Sequence, residues 1–464
     1  MFLTPKENNI PLSKFESMLK TNSIYFFDSV EFEEIIHYYL DSGKNSLARK
    51  AIKLGLTQHP NSVLLKLLQA ELLIFDNETE KASRLLIELQ AIEPTNEEVY
   101  VQQANLSSKK NDHKGAIDLL KIALTYTDDE ADILSMIGME YLFLDNFDEA
   151  RFNFSKCLEV DFEDYSSLYN VIYCFDMQNL HKEAIEYLNF YIDKDPYSEV
   201  AWHQLGRQYF ILEKFNKALR AFEYAVLIDE YFVGAYIEKA KTLEELLRFE
   251  EAIENYKITI DLDDPTSFVL LRIGECYEKL NKTALSIKYY KKAVYEDSLL
   301  DKGWMAIANL YAKKRKFREA LPYINKAIEI DELNTVYWRK YAEINLNLDA
   351  FEEAVNAFQQ CILLQDYDLV IWLGLVDTLC FLGEYEDALK NLLKAKTYFK
   401  DFAEIEYRLS GLYFKFKSIK KGVVHLKAGL AIDFEYQFIL KELFPEVFKM
   451  QDVQDIVTSF KKTS

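Results

Sequence analysis

The four tryptophans of the chain lie at positions that differ by multiples of 34 residues. They are Trp202, Trp304, Trp338 and Trp372, so the intervals are 102, 34 and 34 residues. A fixed interval of this size is typical of architectures in which one supersecondary unit is repeated along the chain. A 34-residue period that starts at residue 29 holds its register without a slip through residue 436.

Residue size follows this period. Position 20 is Ala in ten of the twelve segments, and position 24 is large in all twelve. Position 8 is Gly, Ala or Ser in nine segments. Positions 4, 8 and 11 recur at helical spacing, and so do positions 20, 24 and 27. Each segment therefore predicts two amphipathic helices, which we name helix A and helix B, joined by a short polar turn.

Small residues at positions 8 and 20 allow the two helices to approach closely, and the large residues fill the space beside them. A single hairpin of this kind cannot bury its own apolar face and must stack on a neighbour. We therefore expect an all-α solenoid of twelve helix–turn–helix repeats. The predicted repeats are 29–62, 63–96, 97–130, 131–164, 165–198, 199–232, 233–266, 267–300, 301–334, 335–368, 369–402 and 403–436.

The pattern resembles the tetratricopeptide repeat (TPR) family, in the manner of a bacterial-type cytoplasmic array. The closing proline of the family occurs as Pro60, Pro94 and Pro196 but is missing from most other repeats. The resemblance implies a right-handed superhelix in which the A helices line a concave groove for a peptide or helix. The best match, 199–232, has these residues at the signature spacings of the family: Trp202, Leu205, Gly206, Tyr209, Ala218, Phe222 and Ala225.

Two ends of 28 residues each flank the repeats. In the N-terminal segment, 1–28, we expect a short helix around 15–19, and Asp28 is a suitable N-cap for the first repeat. In 437–464 we expect C-terminal capping helices, with Asp452 at the start of the last one. No Gly-, Ser- or Pro-rich linker interrupts the array, so one continuous body is expected. Pro322 lies near the start of a B helix, where we expect a bend rather than a break.

Charge and composition exclude several functional classes. The net charge of −21 argues against unspecific binding to nucleic acid or to an anionic membrane. The first residues lack a basic stretch followed by an apolar run, and no stretch approaches eighteen apolar residues. The five cysteines show no paired spacing. We therefore expect a cytoplasmic protein that contacts neither nucleic acid nor membrane.

The sequence offers no catalytic, cofactor-binding or metal-binding motif. It lacks a GxxxxGK[ST] loop, a GxGxxG after a strand and HExxH, and its six histidines are scattered. Cys157 and Cys361 both occupy position 27, where a small core residue suffices as an explanation. The repeats leave no room for a separate catalytic domain. We therefore expect a protein that is not an enzyme and needs no cofactor.

The TPR resemblance places positions 2, 5, 9, 12 and 13 of helix A on the groove. At these positions, repeat seven also offers Glu244 and repeat ten offers Arg339. Tyrosine and arginine often dominate interface energy, which favours repeats five to seven as the contact surface. Against this, the aromatic content is 14% throughout, and Arg207 could pair with a neighbouring acid. The candidate partner-binding residues are Tyr169, Asn170, Tyr173, His203, Arg207 and Lys241.

The leading hypothesis is a non-catalytic scaffold or adaptor that binds a peptide or protein segment in the groove. One alternative is a regulatory sensor in which a small ligand or short peptide occupies the groove. A closed apolar pocket would favour the sensor, and an open polar groove would favour the scaffold. A third alternative is a self-association module, although the sequence gives no specific indication of a homo-oligomer.

Overall fold

The computed structural model describes residues 10–21 and 25–463. All regular elements within these ranges are helical, which confirms the all-α prediction. Contacts divide the chain into two compact units, Met1–Glu230 and Tyr231–Ser464. The division falls at the end of the predicted repeat 199–232. Composition did not indicate it, because the sequence at this point contains no linker rich in Gly, Ser or Pro.

Unit 1 is a stack of helix pairs in which each helix from α2 onward packs against the next one along the chain. The A helices begin at the first residues of the predicted repeats. The helices are α1 (Ile10–Thr21), α2 (Ser29–Asp41), α3 (Asn45–Gln58), α4 (Val63–Phe75), α5 (Thr79–Ile92), α6 (Glu97–Lys109), α7 (His113–Ala123), α8 (Ala131–Phe143), α9 (Phe147–Val160), α10 (Tyr165–Met177), α11 (His181–Lys194), α12 (Glu199–Ile211) and α13 (Phe215–Ile228).

Unit 2 is a second stack of helix pairs with the same 34-residue period, so each unit is a solenoid of helical repeats. The right-handed superhelical twist stays a prediction. The paired helices are α14 (Val233–Glu245), α15 (Phe249–Leu262), α16 (Ser267–Lys279), α17 (Thr283–Glu296), α18 (Asp301–Lys313), α19 (Phe317–Ile330), α20 (Thr335–Asn347), α21 (Phe351–Leu363), α22 (Leu369–Leu382), α23 (Tyr385–Tyr398), α24 (Ala403–Lys415) and α25 (Ile419–Ile432).

Packing between the helices of a pair follows the predicted size pattern. The residue at position 20 is buried in every pair, and where position 8 is glycine the ring at position 24 lies directly on it. A Cβ added to Gly206 would lie 2.5 Å from Cε1 of Phe222, and one added to Gly274 would lie 2.4 Å from Cδ1 of Tyr290. In these pairs the close approach of helices A and B therefore depends on the missing side chain at position 8.

The turn inside each pair has a fixed backbone conformation. Position 15 has a positive φ in all of them, although only Gly43 and Gly383 are glycines. Most of the others are Asn or Asp, which tolerate this region best. Leu247 adopts a φ of 59° and is the bulky apolar exception. The turn geometry is therefore common to all pairs, whatever residue stands there.

The N-terminal end closes the first pair as the sequence predicts. The helix expected around 15–19 extends over all of α1, and Phe15 is fully buried against Phe27 and Phe32. Asp28 is the N-cap of α2. Its Oδ1 accepts a hydrogen bond from the Glu31 amide at 2.8 Å, and Glu31 Oε2 accepts one from the Asp28 amide at 3.0 Å. The predicted cap is thus a complete capping box.

The C-terminal end is covered by α26 (Phe438–Leu443), α27 (Pro445–Phe448) and α28 (Gln451–Thr463), after a short 3₁₀ turn, Glu435–Gln437. These helices pack on α24 and α25, with Leu440, Phe444 and Val453 fully buried. One detail of the prediction was wrong: α28 begins at Gln451, so Asp452 lies inside its first turn and does not cap it.

Pro322 interrupts neither α19 nor the period, since α19 is continuous from Phe317 to Ile330. Its position in the second turn explains the tolerance, because the backbone donor it removes lies close to the helix start. Within 10–21 and 25–463, no helix is both long and apolar enough to cross a lipid bilayer.

Candidate functional site

The A helices of unit 1 present large apolar side chains to solvent. Positions 5, 9 and 13 are four residues apart, so they lie on one side of a helix. On α8, α10 and α12, six of these nine positions carry large apolar side chains that are 40 to 60% exposed. We call these residues the unit 1 apolar face: Met139, Phe143, Tyr169, Tyr173, Met177 and Ile211.

Tyr169 and Tyr173 were predicted from the sequence as partner-binding residues, and both are exposed members of this face. Asn170, one residue further along α10, is partly buried. The other members of the face were not singled out. Met139 lies at position 9 of helix A, and Phe143 and Met177 lie at position 13. A search for any large apolar residue at these positions, instead of aromatic residues alone, would have identified them.

Arg207 is partly exposed on α12, at position 9 beside the apolar face. Its Nη1 donates a hydrogen bond to Oε1 of Gln204 at 3.1 Å. It forms no ion pair with a carboxylate in the described part of the chain. The alternative that Arg207 is neutralised by a neighbouring acid is therefore not what the structure shows, and its charge remains available.

His203 does not lie on the exposed face. Only 9% of its surface is accessible, and its ring packs against Phe222 at 5.8 Å between centroids. It occupies position 5 of helix A, where the sequence predicted contact with a partner. The large ring at position 24 accounts for the difference, because it gives His203 an apolar surface to cover. His203 therefore belongs to the packing behind the face.

Lys241 belongs to unit 2. Its Nζ donates to Oε1 of Glu238 at 2.8 Å and lies 5.3 Å from the ring centroid of Phe268. Both contacts are local, one within α14 and one to the first turn of α16. Arg339, another predicted groove residue of unit 2, pairs with Asp366 and also with Asp368 at 3.0 Å. Both cations are therefore already engaged by neighbours.

Unit 2 contains a wide groove of about 1070 Å³ between α14, α16 and α18. Glu244, which the sequence predicted to face the groove, is one of its walls. The groove is open and most of its lining is ionic, in contrast to the apolar face of unit 1. The charged residues that line it are Glu244, Glu245, Arg272, Glu275, Glu278, Lys279 and Lys313.

Two tyrosines hold the carboxylates of this groove. Tyr256 donates its hydroxyl to Oε1 of Glu244 at 2.6 Å, and Tyr290 donates to Oε2 of Glu278 at 3.1 Å. Both tyrosines occupy position 24, where most other repeats have Phe, Leu or Ile. Arg272 completes the arrangement with bonds of 2.7 Å to Glu244 Oε2 and to Glu275 Oε2.

The charges of the groove shift its ionisation equilibria. Burial raises the pKa of Glu275, and the negative charge of Glu244 adds to this, while Arg272 opposes both. Burial also raises the pKa of Tyr256, and the adjacent Glu244 carboxylate raises it further. The tyrosine therefore stays protonated and acts as a hydrogen-bond donor at any physiological pH.

The tetratricopeptide repeat family model matches three segments of the chain, 131–164, 269–298 and 301–332. They lie in both units and follow the predicted register. The other repeats rest on the period and on the helices, so the total of twelve TPR units stays a prediction. No curated protein sequence matches the chain.

Several solved structures are similar to parts of the chain. One is YrrB, described as a TPR protein with an unusual peptide-binding site; it is 15% identical, with a TM-score of 0.35, over 40% of this chain and 94% of its own. A structure of MamA protein is 24% identical, with a TM-score of 0.33, over 37% of this chain and 94% of its own. A second MamA structure is 19% identical, with a TM-score of 0.26, over 42% of this chain and 94% of its own.

Proposed function

We propose that this chain, a tetratricopeptide repeat protein, is a non-catalytic cytoplasmic scaffold that holds a segment of another protein against the exposed faces of its A helices. The observation that carries the proposal is the unit 1 apolar face. Large apolar side chains that share one exposed side of a helix are unfavourable in water, and such groups commonly mark protein–protein contact sites.

The composition of the face suits a protein ligand. Tyr169 and Tyr173 offer large rigid rings at low entropic cost, and tyrosine is enriched among residues that dominate interface energies. Met139 and Met177 are flexible and polarizable, so they adapt to apolar side chains of different shape. Arg207 adds an unpaired charge that could fork onto a carboxylate of the ligand. A segment with apolar side chains and one acidic residue fits these features.

The contrast with the ligand-sensor alternative also favours the scaffold. A small-molecule site is usually a concave, mostly apolar pocket that buries most of its ligand. The groove of unit 2 described above is open, and seven of its thirteen lining residues are charged. An open charged groove suits a chain segment that keeps contact with water along its length.

The proposal is tested by affinity purification from the native cell with mass spectrometry, followed by quantitative pull-down of the recovered partner. The test variant is Tyr173→Ala with Arg207→Glu. The matched control is Tyr197→Ala with Arg84→Glu, which makes the same two changes at exposed residues of unit 1 outside the face. Circular dichroism checks that both variants remain folded.

We expect the test variant to retain roughly a tenth or less of the captured partner, since loss of a tyrosine and reversal of a charge cost more than about 1.4 kcal/mol in an interface centre. The control should capture as much as the unchanged protein. Equal capture by all three proteins would show that the unit 1 apolar face is not the contact surface.

A further inference from the structure

A basic surface lies on α25 and the turn before it, within a chain that is acidic as a whole. Residues 407–432 contain no Asp or Glu, whereas the net charge of the whole chain is −21. Five lysines of this segment are exposed. We call them the α25 lysines: Lys415, Lys417, Lys420, Lys421 and Lys427.

Most of these charges are not neutralised by the protein itself. Lys415 pairs with Glu446 of α27 at 3.2 Å. The other four form no ion pair with any carboxylate that the structure describes, and Lys421 instead lies over the ring of Tyr413 at 5.2 Å. The carboxylate of Glu406, which contacts His425 of α25, is already engaged by Lys396 and by that histidine. The surface therefore keeps its positive charge.

Apolar side chains stand between the lysines. Phe416 is 38% exposed, Ile419 56% and Val424 64%. Lys420, Val424 and Lys427 follow at intervals of four and three residues, so they share one face of α25. A surface that alternates cations with exposed apolar groups can stabilise a ligand both by charge and by removal of apolar area from water.

A second basic segment of the chain provides the contrast. Residues 42–70 also lack Asp and Glu, and Lys44, Lys50 and Lys53 are exposed there. This segment has no large apolar side chain among the exposed ones. The combination of cations with exposed apolar residues is thus a property of the α25 surface and does not follow from a lack of acids alone.

We propose that the α25 surface binds an acidic segment of a partner protein, one in which carboxylates alternate with apolar side chains. This site is separate from the unit 1 apolar face. The charges select an anionic ligand, and the exposed Ile419 and Val424 select one with apolar groups, which a nucleic acid backbone does not offer. The surface is narrow, about one helix and one turn, so it matches a chain segment better than a bilayer.

A defined probe tests the proposal: a fluorescently labelled random copolymer of Glu and Tyr, with poly-Glu as the purely anionic comparison. Anisotropy titrations with the full chain measure affinity at low and at physiological ionic strength. The test variant is Lys417→Glu, Lys420→Glu and Lys421→Glu. The matched control, Lys44→Glu with Lys50→Glu and Lys53→Glu, makes the same change of net charge on α3 and the turn before it. Ile419→Ser with Val424→Ser removes the apolar part alone.

We expect the copolymer to bind more tightly than poly-Glu, and its affinity to fall with salt because exposed charges are screened. The lysine test variant should weaken binding about tenfold or more, a loss of about 1.4 kcal/mol, and the α3 control should leave it unchanged. The serine variant should reduce the copolymer to the affinity of poly-Glu. If circular dichroism shows that the lysine test variant is unfolded, the variant with Lys→Gln at the same three positions replaces it.

Three results would overturn the proposal. The first is no copolymer binding by the unchanged chain at low ionic strength. The second is an equal loss in the α25 and α3 variants, which would reduce the effect to net charge. The third is tighter binding of phosphatidylserine vesicles or of a single-stranded DNA oligonucleotide than of the copolymer, which would assign the surface to a membrane or a nucleic acid.

Discussion

The hydroxyl of Tyr256 on α15 lies 2.6 Å from Oε1 of Glu244 on α14, and the same carboxylate accepts two bonds from Arg272 on α16. One groove residue is therefore held from the core side by a tyrosine and from the next repeat by an arginine. Tyr256 is fully buried at a position where repeat six has Phe222. A phenylalanine would fill the same space in the core, so the role of the Tyr256 hydroxyl is to donate a hydrogen bond to Glu244.

Replacement of that hydroxyl should cost stability. We expect Tyr256→Phe to lower the free energy of unfolding by about 1.5 to 3 kcal/mol, the usual net value of a hydrogen bond to a charged group. Urea denaturation followed by circular dichroism measures the change. Tyr295→Phe, at a highly exposed tyrosine of the same unit, should have no effect. A Tyr256→Phe variant as stable as the unchanged chain would mean that Arg272 alone holds Glu244.

A glycine to alanine change at position 8 should destabilise the protein, although alanine is the better helix former. The ring of Phe222 would lie 2.5 Å from the new methyl group of Gly206→Ala and is fully buried, so it has no free space to move into. Overpacking of this kind costs about 1 to 3 kcal/mol.

The rescue variant for this prediction is Gly206→Ala combined with Phe222→Leu, since the preceding repeat has a leucine, Leu188, at position 24. Thermal or urea unfolding should show that the double variant loses less unfolding free energy than the two single variants lose together. Strict additivity would rule out contact between the two side chains as the cause.

The turn residue Leu247 should tolerate replacement with a gain in stability. It has a φ of 59° and is 74% exposed, so it has little packing to lose and a strained backbone to relieve. Asn holds the same position in four other turns, for example Asn281. Since left-handed backbone costs most residues about 1 to 2 kcal/mol, we expect Leu247→Asn to stabilise by about 0.5 to 1 kcal/mol in urea unfolding.

The companion change is Gly383→Ala, at the same turn position of another helix pair. A Cβ there meets nothing within 4 Å, so only the backbone conformation, with φ of 81°, opposes it. It should destabilise by a similar amount. If both changes left the stability unaltered, the left-handed turn would carry no strain.

Acid should weaken unit 2 through Asp366. Its hydrogen bonds with the Arg339 guanidinium hold the pKa of Asp366 below its usual range. A carboxyl with a depressed folded-state pKa contributes stability that is complete above its unfolded pKa of about 4 and is lost as the pH falls through the lower folded value. Unfolding in urea at a series of pH values should show this loss. Arg339→Gln should lower stability at neutral pH and flatten the acid limb, whereas Lys326→Gln, on an exposed pair, should not.

The thiols should be unreactive in the folded chain. All five cysteines are buried, and burial raises the pKa of Cys174 to about 11 and that of Cys380 to about 12. Since the thiolate is the reactive form, labelling with a disulfide reagent should proceed only after unfolding. A rapid titration of even one thiol under native conditions would contradict the burial of these side chains.

The sequence predicted the helices with high accuracy, because the signals are local and repeated. A glycine at position 8 and a ring at position 24 make sense only when two helices touch, so Gly206 and Phe222 predict each other. Asp28 was predictable as an N-cap because the period fixes where the first repeat begins, whereas the capping box with Glu31 was seen only in the structure. The start of α28 was predicted wrongly, with Asp452 as its cap, since this helix occurs once and has no second copy to calibrate it.

The candidate site was predicted less well, because exposure depends on what each side chain meets in three dimensions. Tyr173 and His203 hold comparable positions on helix A, yet one is exposed and the other is covered by its packing on Phe222. Likewise Arg207 and Arg339 both lie at predicted groove positions, and only the structure shows that Arg339 is held by two aspartates. The two aspartates lie 27 and 29 residues beyond Arg339 in the sequence, and the repeat pattern alone did not indicate that they pair with it.

The pairing of each helix with its neighbour in sequence has a kinetic consequence. Each turn is stabilised by backbone hydrogen bonds within the turn; for example, the Lys214 amide donates to the Tyr209 carbonyl at 2.9 Å. Most helix packing joins residues less than one period apart in the sequence. Chains dominated by such short-range contacts cross low entropic barriers and fold quickly. A ribosome extends the chain residue by residue, so the pairs of unit 1 can assemble while those of unit 2 are still being synthesised. During synthesis, the main added exposure of apolar surface is therefore confined to the newest helix pair, which has no neighbour to stack on yet.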